Sequence, residues 1–195
     1  MRHFLIGAWL WLTVIGISWA ADSPLRVATF CADVTPPLGS PTYPSGKPLA
    51  TVETPLLAKG IVLDDGQQRV VLCAIDWCGL SGPAHRLVCE KLAAGAETDL
   101  SLVTVHTVHQ HTAPYVETGT MGQADESGDA AAEVAGSMVE QLAERLYTAA
   151  QKSLEELQPF NAVGIGQAEV ERVASTRRVL TPEGTIRGRA SSCKE

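Results

Sequence analysis

His106, His109 and His111 lie within the ten residues VHTVHQHTAP, positions 105–114, and are three of the five histidines in a chain of 195 residues. An apolar run precedes them and a proline follows. In an extended chain, residues two apart point the same way, with Cα atoms about 6.5–7 Å apart. His109 and His111 can then present two imidazoles to one ion, while His106 points to the opposite face. Imidazole nitrogen suits zinc, and a hydrolytic zinc site needs three protein ligands and one open position for water. The bound water ionises near neutral pH and attacks a carbonyl. Two histidines do not complete that set, so further ligands have to come from elsewhere. The same spacing also suits histidines that are hydrogen-bonded at a strand end, and spacing by itself leaves both readings open.

The elements around the histidines decide where they can sit. LSLVTVHT, residues 100–107, reads as a buried strand that delivers the pair to its far end. SGPAHRLVCEKLAAGA, 81–96, reads as a helix with Ser81 at its cap, Pro83 in its first turn and Leu87, Val88 and Leu92 on its apolar face. PLLAKGIVLDDGQQRVVLCAID, 55–76, reads as two strands joined at Asp64-Asp65-Gly66, since Asp-Gly between apolar runs marks a hairpin. LRVATFCADV, 25–34, is a further strand, and the proline-rich TPPLGSPTYPSGKP, 35–48, is a loop. A polar, glycine-rich loop over 115–128 leads to a long amphipathic helix from about 130 to 156, capped by Asp129. Val134, Met138, Leu142, Leu146 and Ala149 mark the buried face of that helix. FNAVGIGQAEVERVA, 160–174, reads as another strand. Strand, helix, strand in succession predicts an α/β fold: a mixed, largely buried sheet with a βαβ unit and a long amphipathic helix. Ligands in such folds gather beyond the strand ends.

Composition narrows the class. The chain is 45% hydrophobic and 19% charged, with a net charge of −7, which is globular and argues against a nucleic-acid surface. Residues 1–20, MRHFLIGAWLWLTVIGISWA, have a short basic start, an apolar run and Ser18 and Ala20 at a cleavage position. This is the pattern of a secretory signal peptide, which predicts an exported protein, periplasmic or secreted, with no transmembrane segment after cleavage. The five cysteines form no Cys-x-x-Cys pair, and Cys73 and Cys89 sit in apolar patterns as core residues.

Four segments, in order, carry a resemblance. CADVTPPLG is similar to an Asp-Ile-Thr-Pro segment, LLAKGIVLDDGQQRVVLCAIDWCG to a hairpin whose second strand ends in Asp, VHTVHQHTAP to a His-Thr-His-Ser-x-Pro segment, and GIGQAEVERVASTRRV to a strand leading into an Asn-Arg motif. Together they resemble the N-terminal part of the neutral (non-lysosomal) ceramidases, over residues 25 to about 190. Those enzymes hydrolyse the amide of ceramide to sphingosine and a fatty acid, using one zinc ion held by two histidines from separate segments, a Glu and a Tyr. The resemblance implies that His109 is a zinc ligand. It implies that His111 and Arg177 act on the substrate carbonyl, where an Arg serves as a donor to an oxyanion. Thr176 stands where the family tends to have Asn, and Gln110 and Ala113 replace Thr and Gly.

The family's remaining zinc ligands lie further along than residue 195. The resemblance therefore implies that 21–195 is a partial metal-hydrolase domain, with the other ligands of its zinc beyond Glu195, a lipid amide or other small amide as substrate, and weak or no activity as it stands. The alternative is a non-catalytic exported domain that binds a ligand or partner through the same loop. A third reading is a remnant that folds poorly, with an unpaired sheet edge and exposed apolar surface.

Overall fold

A computed structural model describes residues 24–117, 128–171 and 178–189 of the chain. The expected signal peptide, 1–20, lies outside the described residues, as do Thr176 and Arg177. The chain divides into two units, one ending at Asn161 and one beginning at Ala162.

The first unit is built on a five-stranded mixed sheet. Strands β1 (Arg26–Asp33), β2 (Leu57–Asp64) and β3 (Arg69–Ile75) run antiparallel in succession. Two short elements follow: strand β4 (Gly79–Ser81) and helix α1 (Gly82–Gly95). Strand β5 (Val103–Thr107) then returns parallel to β3, with Cys73 opposite Val105 and Ala74 opposite His106. This is the expected βαβ crossover. Strand β6 (Tyr115–Glu117) pairs parallel with β4 in a second, two-stranded sheet, so a strand opens the segment expected to be loop throughout. The long helix α2 (Gly128–Ser153) begins two residues before the expected start, so Asp129 lies inside it and not at its cap, and it ends in a further single turn, Leu154–Glu156, where the sequence predicts. Strand β7 (Gln158–Pro159) adds two residues to the free edge of β1, giving the order β5-β3-β2-β1-β7.

Local chemistry accounts for these elements. Gly66 takes φ +86°, open to glycine at little cost, and turns the β2–β3 hairpin. The Asp65 carboxylate accepts from the Gln67 and Gln68 N–H groups at 2.8 Å each and closes the turn. Asp64, buried at the same end, accepts from Arg69 at 2.8 Å, Arg26 at 3.1 Å and the Gly66 N–H. Burial pushes its carboxyl up, but the hydrogen bonds from Arg69, Gly66 and Arg26 outweigh that and hold it below the ordinary aspartate value. Pro83 sits in the first turn of α1 as expected, but Ser81 makes no side-chain cap to that helix.

One face of the sheet carries the core. Ala58, Val62, Val71, Ile75 and Val105 alternate inward and meet Val88 and Leu92 of α1 and Leu142 and Leu146 of α2. Each Val or Leu buried this way contributes about 1.5–3 kcal/mol. Cys73 and Cys89 are buried as the sequence indicates. Burial, and then the neighbouring Cys89, push the Cys73 thiol up to about 12. The opposite face differs from the expectation of a largely buried sheet. Both helices of this unit pack on one side, and Thr29, Cys31, Lys59, Leu72 and His106 on the other are exposed among the described residues. No helix among the described residues is long and apolar enough to cross a membrane.

The second unit contains a hairpin of β8 (Arg178–Leu180) and β9 (Ile186–Arg189), turned at Gly184 with φ +81°. The strand expected over 160–174 does not form in its described part. Residues 161–171 have no strand pairing, and Val163, Ile165 and Val170 are 76%, 97% and 71% exposed. An alternating apolar pattern makes a strand only where a neighbour supplies its hydrogen bonds, and none among the described residues does so.

Candidate metal centre

Parallel pairing of β3 with β5 brings the ends of both strands to the same edge of the sheet. The chain leaving β3, Asp76-Trp77-Cys78, therefore lies beside the chain leaving β5, Val108 to Pro114. Both are firmly anchored. The Asp76 carboxylate accepts from the Leu57 N–H at 2.9 Å, and the Asp76 N–H returns a bond to the Leu57 carbonyl. Buried Trp77 donates its indole N–H to the Val34 carbonyl at 2.9 Å. Cys78 donates its backbone N–H to the Pro114 carbonyl at 2.9 Å, and Val108 to the Ile75 carbonyl at 3.0 Å. The proline-rich loop docks from the far side. Tyr43 N–H bonds the Ala113 carbonyl at 3.0 Å, and Thr112 N–H bonds the Tyr43 carbonyl at 2.8 Å.

The histidines meet by a different route from the one extended geometry predicts. His109 has φ +61° and Thr112 φ +62°, so the segment leaves the strand conformation and folds back. Left-handed backbone at a non-glycine residue costs about 1–3 kcal/mol, and for β-branched Thr112 it is a strict outlier. The result is an edge-to-face contact between the His109 and His111 rings, 5.4 Å between centroids. The Tyr43 ring packs edge-on against His111 at 5.3 Å and tilts against His109 at 6.3 Å. Behind it Tyr115 stacks on Tyr43 at 5.1 Å. Tyr115 can lie there because residue 79 is glycine: a Cβ on Gly79 would come within 2.4 Å of the Tyr115 ring.

Cys78, His109 and His111 each offer a donor atom, and these lie within 4.8 Å of one another. His109 Nδ1 lies 2.9 Å from the Cys78 carbonyl oxygen and 3.6 Å from Cys78 Sγ. A carbonyl oxygen only accepts, so its partner Nδ1 carries the proton and the neutral ring presents Nε2 as a lone pair. Metal-ligating histidines are oriented by this kind of bond. Two imidazoles and a thiol form a borderline-to-soft donor set. It fits zinc, cobalt or copper(I) and is poorly suited to calcium or magnesium, which take oxygen. Three such donors together can hold a zinc ion. Burial pushes the Cys78 thiol up, so without a cation it holds its proton. On the other side of the loop, Gln110 and Thr112 line a pocket of about 380 Å³ with Thr42, Leu49, Thr51 and Glu53.

Of the residues singled out in the sequence, His109 and His111 are brought together and Arg177 lies outside the described residues. His106 sits on β5 opposite Ala74, on the exposed sheet face and outside the donor cluster. His85 Nε2 lies 3.1 Å from the Val105 carbonyl and bridges α1 to the sheet. Sequence reasoning missed Cys78 and Tyr43. Asp-Trp-Cys at the end of a strand parallel to the histidine strand was an available signal for Cys78. Nothing in the spacing marks Tyr43, which reaches the site from a loop some 66 residues earlier than His109.

No protein-family model matches the chain, and no curated protein matches it. Among solved structures, it is similar to the neutral ceramidase from Pseudomonas aeruginosa at a TM-score of 0.50 and 15% sequence identity, over 71% of this chain and 23% of that one. A second structure, a ceramidase complexed with C2, gives a TM-score of 0.46 at 15% identity, over 71% of this chain and 22% of that one. The chain thus spans less than a quarter of the length of either protein. At this identity the likeness is one of fold: over most of its length the chain has a distant ceramidase-like α/β fold.

Proposed function

We propose that this chain is the N-terminal portion of an exported, zinc-dependent amide hydrolase of the neutral-ceramidase type. Its substrate class is a lipid amide, cleaved to an amine and a fatty acid. The observation that carries the reading is the His109 Nδ1–Cys78 carbonyl contact at 2.9 Å, which leaves Nε2 to hold the ion at the strand ends. A bound zinc supplies a hydroxide near neutral pH and polarises the carbonyl. In the complete site His111, on the same side of the loop, and Arg177 donate to the oxyanion that develops there. The family's further zinc ligands have no counterpart assigned in this chain, which is weakly active or inactive as it stands.

The resemblance of the four sequence segments and the likeness of fold support this reading. The test is zinc content of the purified chain, together with hydrolysis of a fluorescent ceramide. Expected are zinc binding that His109→Ala abolishes, and little turnover. Zinc affinity unchanged by His109→Ala would refute the ligand assignment, and full turnover by the chain alone would refute the incomplete site.

A further inference from the structure

We infer that Cys78 is a thiolate ligand, and that Cys78, His109 and His111 together form a three-donor site for a thiophilic cation within this chain. The inference rests on the reading of His109 as a metal ligand. It adds Cys78 to the set, and in the chain as it stands it moves His111 from the substrate carbonyl to the ion.

The geometry carries it. A tetrahedral zinc with Zn–S about 2.3 Å and Zn–N about 2.0–2.1 Å separates sulfur from nitrogen by about 3.6 Å and the two nitrogens by about 3.3 Å. One ligand atom from each of Cys78, His109 and His111 lies within 4.8 Å of the other two. Small side-chain rotations close the remainder. The backbone already holds the donors in place. Cys78 is fixed through its N–H to Pro114 and through its carbonyl to His109, so the sulfur and the His loop are tied at two points. Tyr43 braces both rings from behind. Cys78 is 1% exposed, whereas both histidines are exposed. A cation enters from the histidine side and meets the thiol at the floor of the site. Binding is an exchange: the S–H bond breaks, the S–metal bond forms and one proton leaves to solvent. The chemistry selects Zn2+, Co2+ or Cu+ over Mg2+ and Ca2+.

The test is titration of the full chain with Co2+, followed by absorbance and competed by Zn2+. A sulfur-to-cobalt charge-transfer band in the near ultraviolet is expected. Cys78→Ser should lose the band and weaken Co2+ binding more than about tenfold, and His111→Ala should weaken binding by a comparable factor with the band retained. Cys78 is buried and its variants can misfold, so the second measurement uses the unaltered chain: zinc K-edge X-ray absorption of the Zn2+ form should contain one sulfur scatterer at about 2.3 Å. Cobalt binding that shows only d–d bands, with no sulfur scatterer around the bound Zn2+, would overturn thiolate ligation and leave His109 as a ligand. A charge-transfer band with binding unaffected by His111→Ala would overturn the three-donor set. Absence of cobalt and zinc binding would overturn both this inference and the reading of His109 on which it rests.

Discussion

His109 donates its Nδ1 proton to the carbonyl oxygen of Cys78 across 2.9 Å. The two residues are 31 positions apart, yet one bond fixes the tautomer of the ring and ties the loop after β5 to the loop after β3. The site's behaviour depends on that junction.

His109→Ala removes a donor and unties the loop. Zinc affinity should fall by more than about 100-fold, beyond the 10–100-fold loss usual for an outer partner. Competition against a chromophoric chelator measures this directly. Retained affinity would mean that the ion, if any, sits elsewhere.

Tyr43 touches both imidazoles and donates its backbone N–H to Ala113. Tyr43→Phe keeps the ring and should leave zinc affinity within about threefold, because the ring contact is worth only about 0.5–1.5 kcal/mol and survives. Tyr43→Ala removes the brace and should lower affinity by about tenfold. Equal affinities for the two variants would show that the ring positions nothing.

Gly79→Ala tests the same brace from behind. The new methyl would meet the Tyr115 ring at 2.4 Å and displace it from its stack on Tyr43. Overpacking of this kind costs about 1–3 kcal/mol. Thermal stability should drop by that amount, and zinc affinity should fall together with it. A loss of stability with affinity intact would separate the aromatic stack from the centre.

Asp64 gives the stability of the fold a pH dependence. Its folded pKa is depressed below the unfolded value of about 3.9. The bonds from Arg69 and Arg26 therefore stabilise fully above that pH, and the contribution is lost as pH falls through the folded value. Asp64→Asn should cost about 1–3 kcal/mol at pH 7 and flatten the fall in thermal midpoint below pH 4. An unaltered acid profile in this variant would assign acid sensitivity to other carboxylates.

Cysteine labelling reports the core. The exposed Cys31 should react with iodoacetamide at pH 8 in the native protein, and Cys73, buried and pushed up to about 12, should not. In denaturant both should react. Native labelling of Cys73 would contradict the packing of β3 against α1.

Much of the fold was legible in the sequence because its signals are local. Asp64-Asp65-Gly66 encodes a turn in three residues, and the 3.6-residue apolar rhythm of Met138, Leu142 and Leu146 encodes one helix face. The segment over 161–171 failed for the complementary reason. Its alternation is local, but a strand needs hydrogen-bonding partners from another part of the chain, and pattern does not show whether they are there. The sheet's exposed face was misread likewise: Leu72 sits in a continuous apolar run, but it is the packing of α1 and α2 on a single side that leaves it 42% exposed.

The sequence by itself determined that His109 and His111 leave the end of an apolar strand and that His106 belongs to that strand. Local spacing and strand periodicity suffice for that. Tertiary structure decided the rest of the site. Parallel pairing of β3 with β5 put Cys78 beside His109, and the docking of the proline-rich loop put Tyr43 against both rings. The positive φ at His109 and Thr112 folded the loop back and set the two rings edge to face, where an extended chain would have presented them side by side. These are contacts between residues distant in sequence, and backbone strain of this kind persists only when such contacts outweigh its cost.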